Sequence, residues 1–177
     1  MTGHSGSAES THFEIRPATA DADAAAIERV LLAAFLEFKD LYTRQAFAAT
    51  AITADEVRQR ITEGPVWVAA AGSEIVGTVS AVKKAEEVYV RGMAVVPSTR
   101  GRAVGRRLLD RVERFAVANG CQRLSLMTTP FLFRAIQLYE RAGFVRAVDG
   151  ESDLFGTPLF AMTKNIGDWS ISIKTSE

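Results

Sequence analysis

A short turn rich in glycine and arginine is the part of the sequence best suited to chemistry. It follows an apolar stretch that Pro97 ends, because proline has no N–H to donate to a sheet. Beyond the turn, apolar residues recur at helical spacing from Val104 to Ala116. The first N–H groups of a helix have no acceptor inside it, and the helix dipole adds partial positive charge there. The turn is therefore predicted to bind a pyrophosphate through Arg100, Gly101, Arg102, Ala103, Val104, Gly105 and Arg106.

Two familiar phosphate-binding loops do not fit this turn. The P-loop needs a glycine, four residues and then Gly-Lys-Ser/Thr, but four residues after Gly101 stand Arg106 and Arg107. The dinucleotide fingerprint needs three glycines at fixed spacing near the start of a domain. Ala103 occupies its second glycine position, and the turn lies in the middle of the chain. A nucleotide-binding fold that uses the Arg-rich turn for ATP or NAD stays open as a rival.

Two motifs in order give a resemblance to a known family. The turn resembles the coenzyme A signature of the GNAT acyltransferase superfamily: Arg or Gln, two residues, Gly, one residue, then Gly or Ala. Arg100 and Gly105 match its ends, and Ala103 replaces its first glycine. Residues 134–144 are similar to the family's other motif, Ala-Ile-x-Leu-Tyr followed by Gly-Phe. The resemblance covers the chain from about residue 13 to about residue 166.

The resemblance implies an N-acetyltransferase that uses acetyl-CoA as co-substrate and no metal. The acceptor would be a primary amine of a small molecule or a peptide, which attacks the thioester directly in a ternary complex. By position, Met93, Ala94 and Val95 would hold the pantetheine arm with their backbone and polarise the thioester carbonyl. Tyr139 matches the tyrosine that gives a proton to the departing thiolate.

The general base is the least determined of these assignments. Relatives often have a glutamate where this chain has Tyr89, so the role is assigned to Glu87, on the same strand face at period two. Alternatively, the amine binds in its deprotonated form and needs no general base. Leu132 stands where the family often has an asparagine that contacts pantetheine. With Ala103, these departures keep open a catalytically inactive module that only binds coenzyme A.

Composition narrows the function further. The 177 residues suit one domain, and the formal net charge is zero, with 21 basic and 21 acidic side chains. This balance argues against nucleic acid or an anionic membrane as the main partner. A single cysteine, Cys121, fits a reducing compartment and a cytoplasmic protein. The two histidines, His4 and His12, show no metal-ligand spacing.

The order of apolar patterns predicts an α+β fold, an α/β sandwich. The sheet is expected to be mixed but mostly antiparallel, with six or seven strands, one parallel pair around the long helix, and about four flanking helices. Gly92 inside the central strand predicts a bulge. Recognition of the acceptor is expected from segment 38–47, from the entrance of the central strand at 86–89 and from a loop at Glu151–Pro158. Residues 149–156 as a whole are predicted to form a polar loop.

Three domain boundaries follow from the same patterns. Residues 1–12 are small and polar and are predicted to be disordered. Residues 13–166 would form the single GNAT domain. Residues 167–177 form a tail whose apolar residues would either pack back on the domain or be exchanged with a partner in a homodimer.

Overall fold

A seven-stranded sheet forms the centre of the fold in the computed structural model, which describes residues 12–167. The strand order is β1-β2-β3-β4-β5-β7-β6, and every neighbouring pair is antiparallel except β4 with β5. The predicted mixed sheet with one parallel pair is confirmed. The strands are β1 (Glu14–Pro17), β2 (Val66–Ala71), β3 (Glu74–Lys84), β4 (Glu87–Val95), β5 (Arg123–Thr128), β6 (Val145–Leu154) and β7 (Thr157–Asn165).

Helices cover both faces of the sheet. One buried cluster joins the first and third helices to the sheet, and a second joins the fourth and fifth helices to the other face. Val66 and Val68 belong to the first cluster, and Trp67 and Ala69 to the second, which explains why β2 is a continuous apolar run. The α-helices are α1 (Ala20–Phe35), α2 (Arg44–Thr50), α3 (Ala54–Glu63), α4 (Val104–Ala118) and α5 (Phe133–Arg141).

Local sequence signals account for several of these boundaries. Thr53, with Glu56 three residues on, has the sequence pattern that predicts a capping box. The structure has it: each side chain bonds the other's backbone N–H at the start of α3. Gly92 has φ +60, and the pairing of β3 with β4 shifts between Thr78 and Ser80, which is the bulge predicted there. In α4, buried apolar residues recur along one face and pack on the sheet.

One expectation was wrong, one helix count was low by one, and one prediction is untested. Residues 149–156 are not a polar loop, because β6 runs to Leu154 and only Phe155 and Gly156 turn the chain into β7. Since β6 is an edge strand exposed along most of its length, its sequence carries no burial signal. The irregular segment after α1 is a 3-10 helix, Leu36–Leu41, followed by α2, so the described chain has five α-helices rather than four. The predicted tails, 1–12 and 167–177, lie almost wholly outside the described residues.

The parallel pair at the middle of the sheet is short. Only four residues of β4, Glu87–Val90, pair with β5, and their partners are Arg123–Leu126. Beyond these four positions both strands continue, β4 to Val95 and β5 to Thr128, without pairing to each other. A gap therefore opens between two adjacent strands, next to the N-terminus of α4.

One buried ion pair ties the start of α1 to β1. Arg16 donates two hydrogen bonds to the carboxylate of Asp23, at 2.8 and 2.9 Å, and the backbone N–H of Thr19 donates a third at 2.8 Å. The hydrogen bonds from Arg16 lower the pKa of Asp23 from 3.8 to about 2; burial opposes them, and the Thr19 N–H assists. The ionised carboxylate therefore stabilises the folded state.

Replacing Asp23 with asparagine is expected to lower the free energy of unfolding by about 2 kcal/mol at neutral pH. A carboxyl whose folded pKa is depressed stabilises the protein above its unfolded pKa. The difference between variant and wild type should therefore be constant above about pH 5 and shrink as the pH falls from about 4 to about 2. Urea unfolding at a series of pH values measures it, and a difference that does not change over that range would contradict the assignment.

Candidate functional site

The N-terminus of α4 is an uncapped helix end. Arg107 donates the first helical hydrogen bond, to the carbonyl of Ala103 at 3.0 Å. The backbone N–H groups of Val104, Gly105 and Arg106 come before it and have no acceptor within the helix. No described side chain caps this end, and its first turn contains no acidic residue. The predicted pyrophosphate turn therefore presents free N–H groups and the positive end of the dipole to an anion.

The two glycines of the turn have different roles. Gly101 has φ +80, and no heavy atom beyond its chain neighbours lies within 4 Å of the place where a Cβ would be, so it serves the backbone conformation and leaves open space. At Gly105 a Cβ would lie 2.8 Å from Leu138 Cδ2 on α5. The sequence-based reason for Gly105, close approach of an anion, is therefore incomplete, because this glycine also lets α4 approach α5.

Ala103 holds a strained conformation directly before α4. Its φ of 60 and ψ of 13 lie in the left-handed region, where a residue with a Cβ costs roughly 1–2 kcal/mol relative to the right-handed one. This is the position at which the resemblance expects a glycine. The chain keeps the backbone shape of the motif although it has lost the residue that adopts this shape without strain.

The arginines around the turn bind mostly to the protein itself. Arg100 donates to the carbonyl of Ala34 at 3.1 Å and forms an ion pair with Glu37, so it fastens the turn to the end of α1. Arg106 donates to Asp110 at 2.8 Å and to the carbonyl of Arg141 at 3.3 Å. In this conformation Arg100 and Arg106 are engaged, and the phosphate assignment of the side chains of Arg100, Arg102 and Arg106 stays a prediction.

The last three residues of β4, Met93–Val95, lie beside the gap and are called the thioester strand from here on. Val96 donates to the carbonyl of Val76 at 2.9 Å, and Ala94 pairs with Thr78 in the same register. Because successive residues of a strand point their N–H and C=O groups to opposite edges, Ala94 faces β3. Met93 and Val95 therefore direct their backbone groups into the gap beside β5. Of the three predicted pantetheine contacts, only these two have backbone groups facing the gap.

Tyr139 is buried in α5, with its ring 5.8 Å from that of Phe144. Burial raises the pKa of Tyr139, and nearby Tyr42 and Tyr89 raise it further. The phenol therefore stays protonated at neutral pH and can donate a proton but not accept one. All three tyrosines of the chain lie close enough for their charges to interact, which sequence spacing did not indicate.

Glu87 does not lie at the gap. Its carboxylate accepts hydrogen bonds from Ser125 and from Arg123, the latter at 2.6 Å, where β4 and β5 are still paired. Burial raises the pKa of Glu87, but these two donors outweigh it and hold the pKa below its ordinary value. Glu87 also lies six residues, about 20 Å along an extended strand, from Met93. The structure therefore does not bring the predicted base to the thioester strand.

Among residues 12–167, no three His, Cys, Asp or Glu side chains come together as metal ligands. No helix in that range has the length and apolar run that a membrane crossing needs. A concavity of about 470 Å³ lies between α1 and the β2–β3 turn, but it contains none of the predicted site residues.

Comparison with known proteins agrees with the sheet and the turn. The profile of the Acetyltransferase (GNAT) family matches residues 32–144, more than half of the chain. The chain belongs to this family. The N-acetylaspartate synthetase of Danio rerio is 34% identical over 94 residues, which are 52% of this chain and 33% of that protein. This chain thus spans about a third of the length of the curated relative it matches.

Solved structures share the fold at low sequence identity. The PaiA N-acetyltransferase of Thermoplasma acidophilum, crystallised with coenzyme A, is 16% identical and gives a TM-score of 0.74 over 87% of this chain and 99% of its own. The YncA acetyltransferase of Salmonella typhimurium, with acetyl-CoA, is 20% identical, with a TM-score of 0.67 over 89% and 96%. The predicted GNAT fold and family are confirmed.

Replacing Ala103 with glycine is expected to stabilise the protein by about 1 kcal/mol, because glycine adopts the left-handed conformation without strain. Thermal or urea unfolding measures this change. Ala118→Gly is the matched control: it makes the same substitution at an exposed helical position of α4 and should destabilise by up to about 1 kcal/mol. Coenzyme A affinity of Ala103→Gly should equal or exceed that of wild type. Destabilisation of Ala103→Gly would show that this turn has a different backbone.

Proposed function

We propose that this protein is an N-acetyltransferase that transfers the acetyl group of acetyl-CoA to a primary amine by direct attack in a ternary complex. One observation carries the proposal: the gap between β4 and β5 opens where the uncapped end of α4 and the strand at Met93–Val95 meet. The thioester supplies the activated acetyl group. The residues of this chain would bind the donor, stabilise the carbonyl oxygen and return a proton to the thiolate.

Three parts of the site are proposed to have separate chemical roles. The free N–H groups at the start of α4 would hold the diphosphate. The backbone groups of Met93 and Val95 would pair with the amides of the pantetheine arm, and an N–H there would stabilise negative charge as it develops on the carbonyl oxygen. Tyr139, kept protonated by burial, would return a proton to the thiolate.

The proton on the amine has no dedicated acceptor in this proposal. Glu87 is engaged with Ser125 and Arg123, so the amine is proposed to bind in its unprotonated form. This feature also favours the second candidate function, an inactive module that binds coenzyme A without turnover. Incubation with acetyl-CoA and a panel of amines separates the two, because only the enzyme releases free thiol in proportion to acetylated amine.

The choice of the first acceptor amine to assay comes from the curated relative, because the fold alone does not indicate an acceptor. The matched protein in Danio rerio is an N-acetylaspartate synthetase, so L-aspartate is the first amine to assay. A cytoplasmic location and a homodimer remain predictions from composition and from the apolar C-terminal tail.

Removing the nucleotide from the donor tests the diphosphate anchor without a mutation. Acetyl-pantetheine keeps the thioester and the arm but lacks the diphosphate that α4 would hold. Its kcat/KM is expected to be at least about 100-fold below that of acetyl-CoA, since several charge-assisted hydrogen bonds are lost. Equal values for the two donors would mean that the turn does not bind the diphosphate.

Tyr139→Phe is expected to lower kcat by about 100-fold or more while the Kd for acetyl-CoA and the unfolding temperature stay close to wild type. The ring is kept, so packing against Phe144 is retained and only the proton donor is lost. The comparison variant Tyr89→Phe removes a neighbouring hydroxyl and should retain most activity. A fully active Tyr139→Phe enzyme would assign proton return to solvent or another group.

A further inference from the structure

Two arginines face each other beside the thioester strand. Arg60 comes from α3 and Arg91 from β4, and their charges are close enough to interact. Arg91 immediately precedes the bulge at Gly92 and lies two residues, about 7 Å along the strand, from Met93. The pair is thus placed next to the position where an attacking amine would meet the thioester.

Arg60 contacts no carboxylate in the described chain. Its guanidinium forms no hydrogen bond and no contact ion pair with any residue from 12 to 167. Burial lowers the pKa of Arg60 and the charge of Arg91 lowers it further, while the more distant charges of Glu63 and Glu56 act in the opposite direction. A half-buried cation that is placed against another cation is unfavourable unless an anion accompanies it.

Glycine at position 92 makes room for this guanidinium. A Cβ at Gly92 would lie 2.7 Å from Nη1 of Arg60, so that side chain lies directly over the bulge in β4. Any larger residue there would displace Arg60 or strain a backbone with φ +60. The bulge and the arginine therefore form one local arrangement beside Met93.

Arg91 is only partly satisfied. One terminal nitrogen pairs with Glu63 on α3, but its Nε is buried and has no hydrogen-bond partner among the described residues. Glu63 neutralises one of the two arginines, which leaves one positive charge without a carboxylate in contact. Lys84 adds another cation nearby, with its Nζ 4.8 Å from the centre of the Tyr89 ring.

Tyr89 connects this cationic site to the proton donor. Burial raises the pKa of Tyr89, and Arg91 and Arg60 lower it, while Tyr89 also acts on the pKa of Tyr139. Tyr89 is thus close enough to the arginines and to Tyr139 for a charge on it to act on each. An amine bound to the arginines would lie near Met93.

We propose that Arg60 and Arg91 bind a carboxylate of the acceptor, so that this acetyltransferase acts on amino acids or other small amines that carry a carboxylate a few bonds from the nitrogen. The inference rests on the proposed acetyl transfer to an amine. Planar guanidinium groups match carboxylates in geometry and charge. The Nε of Arg91, which has no described hydrogen-bond partner, and the guanidinium of Arg60, which makes no described hydrogen bond, supply the donors, and a bound carboxylate would offset the repulsion between the two adjacent cations.

The test compares amino acids with their amides, which keep the amine and the side chain but lose the carboxylate charge. L-aspartate, L-glutamate and L-alanine are each paired with the fully amidated form. Steady-state kinetics give KM and kcat, and calorimetry gives the Kd for the CoA-loaded protein, which does not depend on turnover. Wild type is expected to prefer each acid over its amide, although the amine of the amide is less basic and is more often unprotonated at neutral pH.

Arg60→Gln is expected to raise KM and Kd for the acids by at least about tenfold and to leave the amides, kcat and coenzyme A affinity unchanged. Arg60→Lys keeps the charge and should give a smaller rise; it also replaces Arg60→Gln if that variant does not fold. Arg58→Gln is the matched control, an arginine on the same helix that pairs with Asp55 at 2.6 Å, and it should behave as wild type.

The outcomes separate the two proposals. If amides and acids have equal kcat/KM, or if Arg60→Gln binds the acids as tightly as wild type does, the carboxylate site is overturned. The proposed acetyl transfer is not affected by either result. Preference for O-phosphoethanolamine over all carboxylated amines would assign the arginines to a phosphate and also overturns the inference. Binding of acids that depends on Arg60, without turnover of any amine, supports the carboxylate site and contradicts the proposed function.

Discussion

The separation of β4 from β5 after four paired residues is the constraint on which the rest of the structure depends. Parallel neighbours in a sheet ordinarily satisfy each other's backbone groups, and unpaired groups within a protein are costly. Here Met93 and Val95 direct such groups into the gap. A ligand with amide groups of its own can complete the ladder, so the same feature that weakens the sheet creates its binding edge.

Electrostatics act at both ends of this edge. At one end the helix α4 begins without a cap or an acidic residue, which leaves its positive terminus for a ligand anion. At the other end Arg60 and Arg91 meet beside the bulge, with only Glu63 in contact to offset them. The chain has no net charge, so both positive regions are local features of the site. The anionic and acyl ends of a thioester donor, together with a carboxylated amine, would match this arrangement.

Particular elements show how far sequence reasoning extends. The strand-turn-helix unit around Pro97, the capping box at Thr53 and the bulge at Gly92 were predicted because each depends on a few adjacent residues. The second half of β6, up to Leu154, was missed because an exposed edge strand has no burial pattern. Glu87 was assigned as the base from period-two spacing, which gives the strand face correctly but cannot show that Ser125 and Arg123 hold its carboxylate.

The amino-acid sequence by itself determined the family, the mixed sheet and the glycine- and arginine-rich turn at the start of α4, since these follow from local motifs and hydrophobic periodicity. Only the tertiary structure decided which groups are free to act. Arg100 and Arg106 are engaged with Glu37 and Asp110, whereas Arg60, which no motif singles out, makes no hydrogen bond or contact ion pair with a described residue. Arg60 and Arg91 lie about 30 positions apart and meet through the packing of α3 on the sheet. Such contacts depend on the three-dimensional path of the backbone, and one-dimensional spacing does not contain it.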